Sequence, residues 1–152
     1  MKKISVSIIG TGKIAVENEL DNFRKKPSSH LGAILKYKKL FDIKGIYDLD
    51  LKKSKKYSDK FKVNNFSSLD ELLLSNSDLI ILAINYKNNL NVIEKICQKK
   101  RKPKVIFCEK PISNNINSAN KIFNLCKKNK IKLLINNRRL ENRYTLVKKL
   151  FD

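Results

Sequence analysis

Val105-Ile106-Phe107-Cys108-Glu109-Lys110-Pro111 sets four consecutive apolar residues against a polar stop closed by proline. An uninterrupted apolar run, rather than an alternating one, fits a β-strand covered on both faces, and such strands belong to parallel sheets. The pattern recurs on either side. Ile8-Ile9, Ile80-Ile81-Leu82 and Leu133-Leu134-Ile135 are likewise continuous. They place strands over residues 4–10, 43–48, 79–85, 104–109 and 132–136, with a short one near Val63.

Helical periodicity fills the intervals. Ala119, Ile122, Phe123 and Cys126 follow i, i+3, i+4, i+7, and Leu90, Ile93 and Cys97 trace a similar stripe. Ser67 and Ser68 stand at cap-box spacing from Asp70 and Glu71, ahead of Leu69, Leu72 and Leu73. Strand–helix alternation of this kind predicts an α/β fold, doubly wound and Rossmann-type. Its mostly parallel sheet would have about six strands, with helices on both faces. One crossover is irregular. A helix is expected to open at Gly12, but residues 17–29 are polar and contain Pro27, which reads as an insertion. Ser29 can then cap a helix carrying Ala33, Ile34, Tyr37 and Leu40.

A chain of 152 residues is long enough for one domain burying roughly 68–70% of its unfolded surface. The longest apolar run, Leu79-Ile80-Ile81-Leu82-Ala83-Ile84, falls far short of the roughly 18 residues a membrane helix needs. Lys2-Lys3 precedes an apolar stretch that stops at Gly10 without a cleavage-type pattern, so no export signal is read. Cys97, Cys108 and Cys126 are widely spaced, and His30 is the only histidine. Buried thiols in a reducing cytoplasm are therefore expected, without a metal site or disulfide. The formal charge of +20 would suit a nucleic-acid binder. The basic residues, however, are mostly lysines spread along every expected helix with no interleaved aromatics. Solvated helix faces, rather than a specific nucleic-acid site, are the reading that fits.

In an open parallel sheet, ligands bind beyond the carboxyl ends of the strands. Unusual residues collect there in this chain: Gly10-Thr11-Gly12-Lys13-Ile14-Ala15, then Asp48 and Asp50, then Ala83-Ile84-Asn85, then Glu109-Lys110-Pro111, then Asn136-Asn137-Arg138-Arg139. Gly10 permits a tight turn, Gly12 lets the backbone approach a pyrophosphate, and Ala15 allows close packing. A helix beginning near Gly12 would point free N–H groups at the phosphates. A plain tight turn is the alternative.

Asp48 would accept hydrogen bonds from an adenosine ribose and disfavour a 2′-phosphate. At about 4 Å and an effective dielectric of about 20, repulsion is about 4 kcal/mol per charge pair. NAD is thus expected over NADP, with Lys52 and Lys53 close enough in sequence to offset part of this. Asp50 reads as the N-cap of a following helix. Lys110, aimed by Pro111, is the candidate catalytic residue, able to donate to the nicotinamide ribose and to a substrate hydroxyl. A surface lysine before a helix is the bland alternative. The cofactor set is therefore Gly10, Thr11, Gly12, Lys13, Ile14, Asp48, Ala83, Ile84, Asn85, Glu109, Lys110, Pro111 and Arg139.

Together these motifs resemble the N-terminal domain of the glucose–fructose oxidoreductase and inositol dehydrogenase (Gfo/Idh/MocA) family. The likeness runs from Ile4 to about Tyr144. It rests on Ile9-Gly10-Thr11-Gly12-Lys13-Ile14-Ala15, Tyr47-Asp48, Phe107-Cys108-Glu109-Lys110-Pro111-Ile112 and Asn137-Arg138-Arg139. The stretch from Leu20-Asp21-Asn22 through Ser29-His30, with Lys102-Pro103-Lys104, is similar to members found with surface-polysaccharide synthesis. The resemblance implies a pyridine-nucleotide oxidoreductase for sugars, nucleotide sugars or cyclitols, with Lys110 near the nicotinamide and a cis bond before Pro111.

Two departures stand out. Ile84-Asn85-Tyr86-Lys87-Asn88-Asn89 replaces the family's Thr-Pro-Asn string and its following His. The family also carries its catalytic acid/base in a second domain. Here residues 1–137 read as the dinucleotide-binding domain, and 138–152 as a terminal helix with Leu146, Val147, Leu150 and Phe151, leading to an absent domain. Two expectations follow. The chain binds NAD and turns over a sugar only with a partner chain or a second copy, or it is a non-catalytic nucleotide-binding or protein-docking module.

Overall fold

The computed structural model describes residues 2–137. Arg139 and the expected helix at 138–152 lie outside the described residues. Five strands form one parallel sheet: β1 (Ile4–Ile9), β2 (Phe41–Tyr47), β3 (Leu79–Leu82), β4 (Val105–Cys108) and β5 (Lys132–Ile135). Their order is β2-β1-β3-β4-β5. The sixth strand expected near Val63 is only a single bridge, Asn65 to Ile46. Little chain is free to make more. Lys62 ends the preceding helix in the left-handed conformation, and Ser67 already donates its N–H to the Glu71 carboxylate.

Helices α1 (His30–Lys36) and α2 (Leu51–Phe61) cover one face, and α3 (Leu69–Leu74), α4 (Asn89–Gln98) and α5 (Ile116–Lys128) the other. Each except α4 begins at a side-chain cap: Ser29, Asp50, Ser68 and Asn115 accept from the N–H three residues on. The strands feed two cores. Ile80, Leu82, Ile106 and Cys108 point towards Ile93, Ile96, Ile122 and Cys126, while Val6, Ile8 and Ile81 meet Leu31, Ile34 and Tyr57. Each fully buried isoleucine contributes about 1.5–3 kcal/mol. The expected stripe on α5 holds at Ile122 and Cys126, but Phe123 is 46% exposed and lies at its edge. The fully buried part of the second core reaches as far as β3, with half-buried Phe107 of β4 packed against it. Beyond it, among the described residues, Val105, Phe107 and Leu134 border an open apolar depression of about 350 Å³ shared with His30 and Ile34. No helix here is long and apolar enough to cross a membrane.

The first crossover departs from the expected helix. Residues 12–16 make an irregular turn, with Val16 N–H on the Gly12 carbonyl at 2.9 Å and the Lys13 carbonyl accepting from Asn18 N–H at 2.9 Å. A 3-10 helix over Glu17–Leu20 follows. Glu19 explains why no longer helix forms. Its Oε2 accepts from Ser28 N–H (2.9 Å), Ser29 N–H (3.0 Å) and Ser29 Oγ (2.9 Å), so the chain must fold back within ten residues. Burial pushes the Glu19 carboxyl up, but these hydrogen bonds and nearby Lys26 outweigh it and hold it below its ordinary value. Gly32 makes room, since a Cβ there would lie 2.0 Å from Glu19 Oε2.

Candidate functional site

The order β2-β1-β3 opens a crevice where the connections from β1 and β3 leave in opposite directions, the usual ligand position in such sheets. A cavity of about 520 Å³ lies there. That volume is ordinary for a small-molecule site. Gly10, Gly12, Asp48, Ala83, Ile84 and Asn85, all expected, line it. Gly10 has φ +93°, and a Cβ on it would sit 2.3 Å from the Ala83 carbonyl oxygen. Only glycine fits that turn. At Gly12 the situation is reversed. Nothing lies within 4 Å of a Cβ position, so the chain leaves open space above this residue on the cavity wall.

Thr11 is fully buried behind the turn, and both its N–H (2.6 Å) and Oγ1 (2.8 Å) donate to Asp48 Oδ2. Oδ1 of Asp48 accepts from Asp50 N–H at 3.1 Å. The carboxylate is thereby fixed at the end of β2 beside the glycine turn. Asp50 caps α2, as its spacing implied. Lys53 also lines the cavity but turns to Glu17, 2.6 Å away. That hydrogen bond holds the Glu17 carboxyl below its ordinary value and the Lys53 ammonium above its own. Burial, followed by the Glu17 charge, raises the neighbouring Tyr57 phenol.

Sequence reasoning missed one wall. Asn88, Asn91 and Lys95 follow one face of α4, and with Tyr47, Leu49, Leu69 and Val92 they complete the cavity. Their i, i+3, i+7 spacing opposite the apolar stripe was the available signal. Asn88, the N-cap, makes no side-chain cap hydrogen bond; instead a 3-10 turn over Tyr86–Asn88 runs straight into α4, with Asn89 N–H on the Tyr86 carbonyl. Asn85 accepts from Lys87 N–H at 3.0 Å and shapes the turn ahead of it.

The β4 end is separate. Lys13 is exposed beside the turn, and Ile14 faces a second depression of about 230 Å³ with Ser28, His30 and Asn136. Lys110 and Pro111, joined by a cis bond, are exposed and do not line the main cavity. Glu109 turns inward, where Oε1 accepts from His30 Nε2 (2.7 Å) and Asn136 Nδ2 (2.6 Å). His30 opens α1 and is also a partner of Glu109. Burial, with the Glu109 charge adding to it, pushes the Cys108 thiol up to about 12, so it packs and does not act as a nucleophile. Among the described residues no group of three or more His, Cys, Asp or Glu could hold a metal.

These features fit a dinucleotide: an unfilled position over Gly12, a pinned acidic group one strand away, and an apolar slot of adequate volume. The sequence model of an oxidoreductase family with an NAD-binding Rossmann fold, GFO_IDH_MocA, matches residues 4–137. No curated protein matches the chain. Among solved structures, the fold is similar to the WlbA dehydrogenase from Bordetella pertussis, solved with NADH and UDP-GlcNAcA (22% identity, TM-score 0.79, 99% of this chain and 42% of that one). It is similar also to UDP-N-acetylglucosamine 3-dehydrogenase GnnA from Acidithiobacillus ferrooxidans (18%, TM-score 0.73, 99% and 44%). A third is the dehydrogenase MviM from Clostridium difficile (21%, TM-score 0.76, 97% and 44%). The chain spans less than half the length of each of these proteins.

Proposed function

The chain belongs to the Gfo/Idh/MocA oxidoreductase family, with its NAD-binding Rossmann fold over residues 4–137, and on that premise we propose that it holds NAD, in preference to NADP, for oxidoreduction of a sugar, nucleotide sugar or cyclitol. The observation that carries the reading is the unfilled space over Gly12 beside an Asp48 already pinned by Thr11. Backbone at Gly10–Gly12 receives the diphosphate, Asp48 the adenosine ribose, and Leu49, Leu69 and Val92 the flat faces of the base. Asp48 supplies the choice of NAD, because a 2′-phosphate beside it meets charge repulsion.

When bound, the nicotinamide ring supplies hydride acceptance. Lys110 serves that end by donating a hydrogen bond to the ribose and to the substrate hydroxyl, which lowers the hydroxyl's pKa. The remaining acid/base group comes from outside residues 2–137, in a further segment, a partner chain or a second copy. Three free thiols fit a reducing cytoplasm.

A second reading, nucleotide binding without catalysis, is favoured by one observation: Lys110 and Pro111 stand apart from the cavity wall. Calorimetry with NAD, NADP and ADP-ribose separates the two. Lys110→Ala should weaken NAD several-fold and leave ADP-ribose unchanged if Lys110 serves the nicotinamide end. Equal binding of NAD by both proteins selects the non-catalytic reading. Absence of binding of all three ligands to the folded wild type at millimolar levels rejects both.

A further inference from the structure

The last ladder bond beside Lys110 runs from Glu109 N–H to the Leu82 carbonyl at 2.9 Å. The next tether along the chain is the Ile112 carbonyl, which accepts from Asn89 Nδ2 at 3.0 Å. Lys110-Pro111 is thus suspended between two anchors. The first anchor is unusual, because the Glu109 side chain is only 14% exposed. A carboxylate withdrawn this far from water needs firmly held donors. Both of its donors are held. Asn136 is fixed by its own N–H on the Cys108 carbonyl at 2.9 Å. His30 opens α1, its N–H bonds the Ile14 carbonyl at 3.0 Å, and its ring meets Phe107 edge-on at 5.4 Å. With the proton on Nε2, His30 donates to Glu109 Oε1. Folding alone does not call for this arrangement, since apolar residues of similar size commonly replace buried charged clusters without loss of stability. What the cluster adds is a fixed direction for the residue that follows.

We propose that His30 is a positioning residue of the cofactor site, which holds Glu109 and thereby sets the backbone from which Lys110 reaches the nicotinamide end. The inference rests on the NAD-binding reading above. It links the first crossover to the end of β4, two parts of the chain separated by 79 residues. The Lys110 ammonium does the contacting, and His30 acts only through it.

A double-mutant cycle tests this by calorimetry with NAD and ADP-ribose. His30→Phe keeps a ring against Phe107 but cannot donate. It should weaken NAD about tenfold, the scale of a lost hydrogen bond to a charged group, while ADP-ribose stays within about twofold. His30→Gln retains an N–H donor and should recover most of the loss. In a Lys110→Ala background, His30→Phe should add nothing, because coupled residues are not additive. Should His30→Phe fold poorly, Asn136→Ala removes the other donor and carries the same expectations. Equal losses on NAD and ADP-ribose, or additive losses in the double variant, overturn the positioning role and leave the cofactor reading standing. Wild-type protein that binds neither ligand overturns both.

Discussion

Alanine placed at Gly10 and at Gly12 should produce opposite failures, although the two positions are one residue apart. At Gly10 the backbone is left-handed, φ +93°, a conformation that costs an L-residue about 1–2 kcal/mol. The new Cβ would also lie 2.3 Å from the Ala83 carbonyl oxygen, which is main chain and cannot swing aside. Ala83 N–H is bonded to the Ile9 carbonyl at 2.9 Å, and Gly10 N–H to the Tyr47 carbonyl at 2.8 Å. Relief therefore breaks a ladder bond or opens the β1–β3 spacing. Overpacking of this kind adds about 1–3 kcal/mol, so Gly10→Ala should lose about 2–5 kcal/mol. For a domain of this size that lowers Tm by roughly 10 °C. Gly12→Ala meets no atom within 4 Å and should stay within about 0.5 kcal/mol of the wild type. Its methyl instead fills the space assigned to the diphosphate and should weaken NAD at least about tenfold. Urea denaturation followed by circular dichroism measures the first effect, and calorimetry the second. Wild-type NAD affinity in Gly12→Ala would refute the cradle, and wild-type stability in Gly10→Ala would refute the steric argument.

Asp48→Asn keeps an acceptor for Thr11 but removes the charge, so the ratio of NAD to NADP affinity should fall about tenfold in competition calorimetry. The Glu17–Lys53 pair sets a pH dependence. Glu17 is held below its ordinary 4.5, so its contribution is present above about pH 4.5 and is lost as pH falls through the lowered value. Lys53 lies above its ordinary 10.5, so its share is present below that and is lost at more alkaline pH. Lys53→Met should flatten the acid limb of stability by up to about 1 kcal/mol, read from urea midpoints across the acid range. Burial, the leading cause in each case, raises all three thiols, Cys108 to about 12 and Cys126 to about 11. Thiol reagent at mildly alkaline pH should label only the half-buried Cys97 in the native protein, and all three once it unfolds.

Much of the fold was legible because continuous apolar runs leave few choices. Ile80-Ile81-Leu82 and Val105-Ile106-Phe107-Cys108 had to be inner strands, and the serine and aspartate caps marked helix starts. What failed was local competition. The glycine turn favoured a helix from Gly12, whereas Glu19 recruits three donors from Ser28 and Ser29 and bends the chain back first. No pattern rule registers a carboxylate ten residues from its partners. The site divided in the same way. Gly10, Gly12 and Asp48 follow from strand ends and turn chemistry, so their convergence was readable. Asn88, Asn91 and Lys95 face the cavity only because α4 packs Ile93 and Ile96 against the sheet, a tertiary fact. His30 beside Glu109 depends on α1 starting where the refolded crossover sets it down.

That crossover has a practical consequence. Because Glu19 gathers both ends of the excursion at one oxygen, residues 21–27 form an external bow whose feet are already clipped together. Closing a longer bow between clipped feet costs little, since each doubling of loop length adds only about 0.6 kcal/mol. Epitopes or reporter peptides grafted between Asp21 and Pro27 should therefore leave the nucleotide crevice undisturbed. The same graft beside a Glu19→Ala change would unfasten the clip and let the added segment drag on the start of α1.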